Sequence, residues 1–323
     1  MRFVIYGAGA VGGTIAGRLA QRGHELAVIA RGAHGAAIRD RGLTVRGPDD
    51  EITVRVPVVE HPRELVFDGD ELVILAMKSQ DTVPALDALA AVAPSTITVA
   101  CAQNGVANER EALRRFAHVI AAYVWMPALH VEPGCVEIAC APRSGYVDVG
   151  RFPTGTDDTT RALAAALDDA GFESVARDDI MQWKYKKLLT NLGNAIEAAC
   201  GSKRDDPAAR ELDERARNEG ARVLAAAGIA WIDDVTEAAR RDDRVTIRPV
   251  RGRARPGGSS WQSLARGTGS IEADHLNGEI VLLGRLHGTP APVNTLLQQV
   301  ANQLARDRKP PGSVAARDLL ARL

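Results

Sequence analysis

The chain of 323 residues is 46% hydrophobic and carries a formal net charge of −1. That length leaves room for two domains, and so even a charge balance gives no pull toward nucleic acid or an anionic membrane. No apolar run reaches bilayer length. The four cysteines, Cys101, Cys135, Cys140 and Cys200, form no CxxC pair, and MRFVIYGAGAVGG has no apolar run followed by a cleavage signal, so a cytoplasmic α/β enzyme is expected.

Residues 2–6 are β-branched or aromatic and predict a short buried strand. A G-x-G-x-x-G run follows on Gly7, Gly9 and Gly12, then a helical pattern from about Ala10 to Gln21 closed by Gly23, then ELAVIAR as a second strand. Strand, glycine turn, helix and strand within about 30 residues is the context of a dinucleotide site. Gly7 permits the tight turn, Gly9 lets the backbone approach a pyrophosphate, and Gly12 allows close packing of helix on strand. The phosphates are expected on the free N–H groups of the helix N-terminus, with Gly7, Ala8, Gly9, Ala10, Val11 and Gly12 as the cofactor-binding run. At the end of the second strand, where NAD sites place an acid, stand Ala30 and Arg31, then Gly32 and His34. A guanidinium cannot accept from ribose hydroxyls but pairs with a 2′-phosphate, so NADPH is favoured over NADH. Arg39 and Arg41 read as surface charge.

LTVRG, EITVRVPVV and ELVILAM continue the strand series, the last nearly all apolar, as in a central parallel strand ending in Lys78. TITVAC predicts the next strand, and its exit loop carries Gln103, Asn104 and Gly105. Loops at the carboxyl ends of parallel strands line the ligand crevice, which places Lys78 and Asn104 beside cofactor and substrate. Further strands are expected in HVIAAYVWMPALHVEPGCVEIA and GYVDVGR, and a helix in DDTTRALAAALDDAGF. The first domain, a nucleotide-binding Rossmann-type α/β unit, is set at 1–172.

From about Ile180 the period becomes helical. MQWKYKKLLTNLGNAIEAAC, PAARELDERARNEGARVLAAAGI, DVTEAARRD, GSIEADHLNGEIVLLGRLHG, VNTLLQQVANQLARD and GSVAARDLLARL predict helices, and RVTIRPVRGRARPGGSS predicts a loop. An all-helical substrate domain is therefore set at 178–323, with the active-site cleft expected between the two domains. Lys187 and Asn191, four apart, share one helix face, and Asn194 lies near it; Lys184 and Lys186 fall on other faces, expected in solvent. Asparagines gain little from such a position in water, and much if they complete a substrate's hydrogen bonds beside Lys187. Ser259, Ser260 and Glu272 are further candidates, Glu272 through a charge-assisted bond to a lysine or a substrate hydroxyl. Asp274 reads as surface, and His130, His275 and His287 as structural. No His/Asp/Glu spacing suits a metal.

Taken in order, GAGAVGG, Arg31, MKS, AQNG, KKLLTN, SS and IEADHLNG resemble the ketopantoate reductase family, the 2-dehydropantoate 2-reductases that use NADPH, over nearly the whole chain. The resemblance implies hydride transfer to an α-keto acid, with Lys187 as the catalytic acid, Asn191 four residues on, and Asn104 contacting cofactor and substrate. It places Lys78 after the M-K strand, Ser260 on pantoyl oxygens and Glu272 in the site helix. Two positions depart from the pattern. Asn191 and Asn194 are three apart where members commonly have four, and Gly257, Gly258 and Leu264 stand where an asparagine, an arginine and an aspartate flank the serines. The expected reaction is reduction of ketopantoate to pantoate; the alternatives are reduction of a related 2-oxo acid and a non-catalytic NADPH-binding regulator. The expected partner is a small 2-oxo acid, and a homodimer is the default assembly.

Overall fold

A computed structural model describes residues 1–323 apart from 203, 205 and 242. Strand β1 (Arg2–Tyr6) leads into α1 (Ala10–Gln21), β2 (Leu26–Ile29) and α2 (Gly32–Arg41). The strands β3 (Leu43–Arg46) and β4 (Glu51–Val54) form a hairpin, followed by β5 (Val58–Val59), β6 (Glu71–Leu75), α3 (Thr82–Ala90), β7 (Thr98–Cys101) and α4 (Asn108–Leu113). Next come β8 (His118–Trp125), β9 (Ala128–Glu132), β10 (Cys135–Ile138), β11 (Cys140–Pro142), β12 (Tyr146–Arg151) and α5 (Asp158–Asp169). The helices α6 (Ile180–Asn191), α7 (Asn194–Cys200), α8 (Pro207–Ala226) and α9 (Asp234–Arg240) precede a short strand, β13 (Val245–Ile247). Four helices close the described chain: α10 (Ser259–Ala265), α11 (Asn277–Leu286), α12 (Pro292–Arg306) and α13 (Ala316–Leu320).

Seven strands form one sheet in the order β12-β8-β7-β6-β1-β2-β5, parallel except where β12 returns antiparallel to β8. Successive side chains on a strand point to opposite faces, and here both faces are covered. Leu72 and Ile74 of β6 join one buried cluster with Ile5, Ile15 and Leu19. Val73 and Leu75 join another with Val4, Leu86 and Leu89. That double burial explains the unbroken apolar run ELVIL. A second sheet, β4-β3-β10-β9, packs on α1. Gly17 makes this approach possible, because a Cβ there would overlap Val45 Cγ2.

The chain forms two compact units. One contains Met1–Asn104, Asn108–Trp183 and Asp233–Arg255; the other contains Gly105–Ala107, Lys184–Ile232 and Pro256–Leu323. The first is a mixed α/β body with a Rossmann-like sheet, and the C-terminal region is helical. A single cut between 172 and 178 does not describe this threading, since 233–255 returns to the α/β unit. The reason is charge and backbone pairing. Asp148 is fully buried and bonded by Arg177 (2.6 Å) and by both Nε and Nη2 of Arg240 (3.0 and 2.8 Å). Farther along, Arg244 pairs with Glu173, Arg248 with Asp49, and Arg253 with Glu137.

Four local expectations are corrected. The segment 244–260, expected as a loop, contains β13, which pairs antiparallel with β11, and its two serines open α10. The expected helix over 181–200 is two helices parted at Leu192–Gly193, where Asn277 Nδ2 donates to the Leu192 carbonyl (3.1 Å) and satisfies the backbone the break exposes. The helix expected over 269–288 is a 3-10 turn, Glu272–His275, followed by α11. Lys184, expected in solvent, is only 3% exposed; α6 is buried on more than one face, with Trp183, Tyr185 and Leu188 also buried.

Within the helical unit, α8 and α12 are joined by a buried carboxylate. Glu219 accepts from the Val293 and Asn294 N–H groups (3.0 and 2.8 Å) and from Asn294 Nδ2 (2.8 Å). These are unpartnered donors at the N-terminus of α12, where a negative charge is favoured. Asn294 Oδ1 in turn accepts from Asn277 Nδ2 (2.9 Å), so one polar chain runs from the α12 terminus to the α6–α7 break.

Candidate active site

On the α/β unit, the predicted cofactor residues lie at the carboxyl ends of adjacent parallel strands. Gly7, Ala8 and Gly9 form the turn between β1 and α1, and Ala10, Val11 and Gly12 begin the helix. Gly7 has φ +97, a conformation L side chains rarely adopt, and a Cβ on it would stand 2.9 Å from Met77 N. A Cβ on Gly12 would overlap the Gly7 carbonyl oxygen. Gly9 is different: nothing lies within 4 Å of where its Cβ would be, and no side chain caps the helix it precedes. Open space over an uncapped helix N-terminus fits a dinucleotide phosphate.

Arg31 follows β2 and occupies the N-cap position of α2, exposed to solvent. Among the described residues it has neither an ion pair nor a side-chain hydrogen bond. Lys78, half-buried, follows β6 and starts a 3-10 turn, Ser79–Asp81. Asn104 follows β7. The strands bearing these residues lie side by side in the order β7-β6-β1-β2, so Asn104, Lys78, the glycine turn and Arg31 share one edge of the sheet.

A buried polar network behind this edge went unseen in the sequence. Asn108 Nδ2 donates to the Asn104 carbonyl (2.9 Å) and to Ser79 Oγ (3.3 Å), while Ser79 Oγ–H donates to the same carbonyl (3.3 Å). Thr82 Oγ1 donates to Asn108 Oδ1 (2.8 Å) and accepts from Gln103 Nε2 (2.7 Å), which also reaches the Met77 carbonyl (3.1 Å). Buried polar groups persist when their partners are supplied. Here they join the loops that carry Lys78 and Asn104. An asparagine at the first position of a short helix was the one available signal.

On the helical unit, Lys187 and Asn191 stand one turn apart on α6, both half-buried. Asn194 belongs to α7, which packs on α10. Ser260, only 3% exposed, lies in α10 beside Ser259, whose hydroxyl donates to Glu272 Oε2 (3.3 Å). The Gly258 N–H donates to Glu197 Oε2 (3.1 Å), and a Cβ at Gly258 would stand 2.5 Å from that oxygen and 3.9 Å from Asn194 Oδ1. Asn194, the serine pair and Glu272 are thus gathered around the start of α10, with Glu197 as a member the sequence did not suggest. Among the described residues, no cluster of three or more His, Cys, Asp or Glu side chains suits a metal ion. None of the four cysteines is in a disulfide, and burial pushes the thiols of Cys140 and Cys200 up to about 12 and about 11. No described helix is long and apolar enough to cross a membrane.

The fold and this edge define a dinucleotide-binding α/β oxidoreductase with a helical second unit. The model of the family described as Ketopantoate reductase PanE/ApbA matches residues 3–154, and that of Ketopantoate reductase PanE/ApbA C terminal matches residues 179–305. The chain belongs to the PanE/ApbA ketopantoate reductase family, whose members are NADP(H)-dependent reductases of 2-oxo acids. It is 31% identical to a 2-dehydropantoate 2-reductase of Halobacterium salinarum over 95% of this chain and 100% of that one. It is 27% identical to the Pyrococcus horikoshii enzyme of the same name over 92% and 95%. A crystal structure of a PanE/ApbA family ketopantoate reductase from Ralstonia eutropha JMP134 superposes with a TM-score of 0.80 at 30% identity, covering 96% of this chain and all of the other. D-mandelate dehydrogenase in a ternary structure has the same fold, with a TM-score of 0.79 at 23% identity.

Proposed function

We propose that the protein is an NADPH-dependent 2-dehydropantoate 2-reductase, converting ketopantoate to pantoate with Lys187 as the general acid. The observation that carries the cofactor choice is Arg31, a cation without a carboxylate partner at the position where an acid would select NADH. Ala8, Gly9, Ala10, Val11 and Gly12 would hold the pyrophosphate on backbone N–H groups, Gly7 forming the turn with its own N–H on the Ile29 carbonyl (3.0 Å). Arg31 would hold the 2′-phosphate, and Lys78 the ribose side. Bound NADPH supplies the hydride that reduces the C2 carbonyl. Lys187 donates a hydrogen bond, and then a proton, to the carbonyl oxygen as negative charge grows there. A donor aimed at developing charge contributes about 3 kcal/mol to the rate. Asn104 orients the carbonyl, Asn191 and Asn194 hold substrate hydroxyls or Lys187 itself, and Ser260 binds the carboxylate. Glu272, which accepts from Ser259, binds a hydroxyl or the lysine. A cytoplasmic, homodimeric enzyme completes the proposal.

A second reading, reduction of a related 2-oxo acid, is favoured by Gly257 and Gly258. A Cβ on Gly257 would stand 2.5 Å from the Trp261 ring, and one on Gly258 equally close to Glu197. Gly257 and Gly258 carry no side chain where the family commonly has asparagine and arginine, so substrate contacts from those two side chains are lost. A steady-state screen of 2-oxo acids with NADPH and NADH in parallel tests both readings. Ketopantoate with NADPH should give the highest kcat/KM. Preference for another 2-oxo acid moves the assignment to the second reading, and preference for NADH removes the role of Arg31.

A further inference from the structure

His34, in the first turn of α2, touches the dinucleotide turn directly. Its Nε2 lies 2.8 Å from the Ala8 carbonyl oxygen. Its Nδ1 lies 2.9 Å from the Gly134 backbone nitrogen and 3.0 Å from His130 Nε2, and the two imidazoles meet edge to face at 4.4 Å. The chemistry of these partners sets the tautomer. A backbone N–H only donates, so Nδ1 must carry a lone pair; a carbonyl only accepts, so Nε2 must carry the proton. The imidazole therefore bridges the turn between β9 and β10 to the second residue of G-A-G.

We propose that His34 is a positioning residue for the cofactor: in its neutral Nε2–H form, anchored at Nδ1 by the Gly134 N–H, it holds the Ala8 peptide in the orientation the pyrophosphate needs, and protonation at Nδ1 breaks that anchor. The inference rests on the NADPH reading above. An imidazolium would present Nδ1–H to the Gly134 N–H, donor against donor, and would place positive charge in the first turn of a helix, where it is disfavoured. Burial pulls the His34 pKa below its ordinary value, and the bond to Ala8 opposes that shift. Of the titratable groups around it, His130 faces it from β9. Arg31 and Arg41 share its helix, the latter donating to the Pro133 carbonyl (3.2 Å). Glu132, at the end of β9, is paired with Arg46. Cys135, beside Gly134, has its thiol pushed up by burial and so stays neutral. None of the described carboxylates bonds to His34 to stabilise its cation.

The test is fluorescence titration of NADPH at about pH 8 and about pH 5.5 on the wild type, His34→Gln and His34→Ala. The 2′-phosphate itself titrates near pH 6, so the ratio of wild type to variant is the quantity that counts. Glutamine offers a donor and an acceptor but no titration. The wild type should lose roughly fivefold more affinity on acidification than His34→Gln does, the factor expected for one hydrogen bond. His34→Ala should raise KM for NADPH roughly fivefold at both pH values with kcat unchanged. Nitrogen-15 shifts of the His34 ring, recorded without cofactor, should show the neutral Nε2–H tautomer at pH 8. Superimposable pH profiles for wild type and His34→Gln, or an Nδ1–H tautomer, would overturn the proposal. A wild type that binds no NADPH at pH 8 would overturn the cofactor reading as well, a result distinct from superimposable profiles.

Discussion

The sheet edge of the α/β unit and the α6–α7–α10 region of the helical unit are built on different principles. The edge offers mainly backbone: a glycine turn, an uncapped helix N-terminus and strand ends, with few side chains aimed outward. The helical region offers side chains, Lys187, Asn191, Asn194, Ser260 and Glu272, on short helices stabilised by buried polar bonds such as Asn277 to the Leu192 carbonyl. A backbone site tolerates almost no added atoms, because the ligand and neighbouring peptides approach the main chain. A side-chain site tolerates truncation structurally and loses chemistry instead.

The largest expected effect breaks the first kind of site. Gly12→Ala places a Cβ into the Gly7 carbonyl oxygen. The turn must shift, at a cost of about 4 kcal/mol divided between fold and cofactor affinity. NADPH titration and thermal melting together should register that sum. A variant that binds and melts like the wild type would mean that the turn is not tightly packed. Lys187→Ala is the matching experiment on the helical unit. Loss of a charged donor there should lower kcat roughly a hundredfold, corresponding to about 3 kcal/mol, while NADPH affinity changes less than about twofold. Equal losses of kcat and cofactor affinity would erase the contrast.

The buried carboxylate behind the helical site should matter next most. Glu219→Ala leaves the Val293 and Asn294 N–H groups without their acceptor and Asn294 Nδ2 with only the Ala216 carbonyl (3.1 Å), and a buried donor left unsatisfied costs about 2 kcal/mol. Chemical denaturation should show that loss, with kcat falling more than KM for NADPH if the polar chain through Asn294 and Asn277 steadies the α6–α7 break. Unchanged denaturation midpoints would mean that water replaces the carboxylate.

The same division explains how much of the molecule was legible in the sequence. The glycine turn, β1 at Arg2–Tyr6 and α1 at Ala10–Gln21 were legible, because backbone requirements force glycine and β-branched residues into fixed places; the second strand was longer in expectation (ELAVIAR) than β2 at Leu26–Ile29. Helix α2 was not foreseen, since GAHGAAIRDR has too many glycines and no apolar stripe; contacts with β3 and β5 hold it. Nor was β13, three residues in an arginine-rich stretch that become a strand only because β11 offers an edge. Asn108, Ser79 and Thr82 lie up to 29 positions apart, and no local pattern links them. On the helical side, Lys187 and Asn191 were visible from their i,i+4 spacing. The break after Leu192 was hidden because its stabilising partner, Asn277, lies 85 residues away.

Arg31→Ala sharpens the contrast further, as the edge's most exposed side-chain contribution. It should weaken NADPH roughly tenfold and leave NADH nearly unchanged, since a solvent-facing guanidinium on a phosphate contributes about 1–2 kcal/mol. Parallel titrations measure both. Equal weakening of the two cofactors would assign Arg31 to the fold of α2 instead.

The smallest effect lies on the second sheet, below the edge. Arg18 of α1 forms a double bond pair with Asp50 at the β3–β4 turn, its Nη2 donating to Oδ1 at 2.9 Å, and it also reaches Ser144 (3.1 Å). The Arg18 hydrogen bond holds the Asp50 carboxyl below the ordinary carboxylate range. A group with a depressed folded-state pKa contributes stability that is complete above its unfolded value, near 4, and lost as pH falls through the folded one. Melting temperature should therefore decline below about pH 4 more steeply in the wild type than in Asp50→Asn, which has no carboxylate to protonate. Because the Asp50 side chain is 43% exposed, solvent screens the pair and the difference should be only slight. Parallel acid limbs would show that α1 is held to the second sheet by the close packing at Gly17, with the ion pair adding nothing measurable.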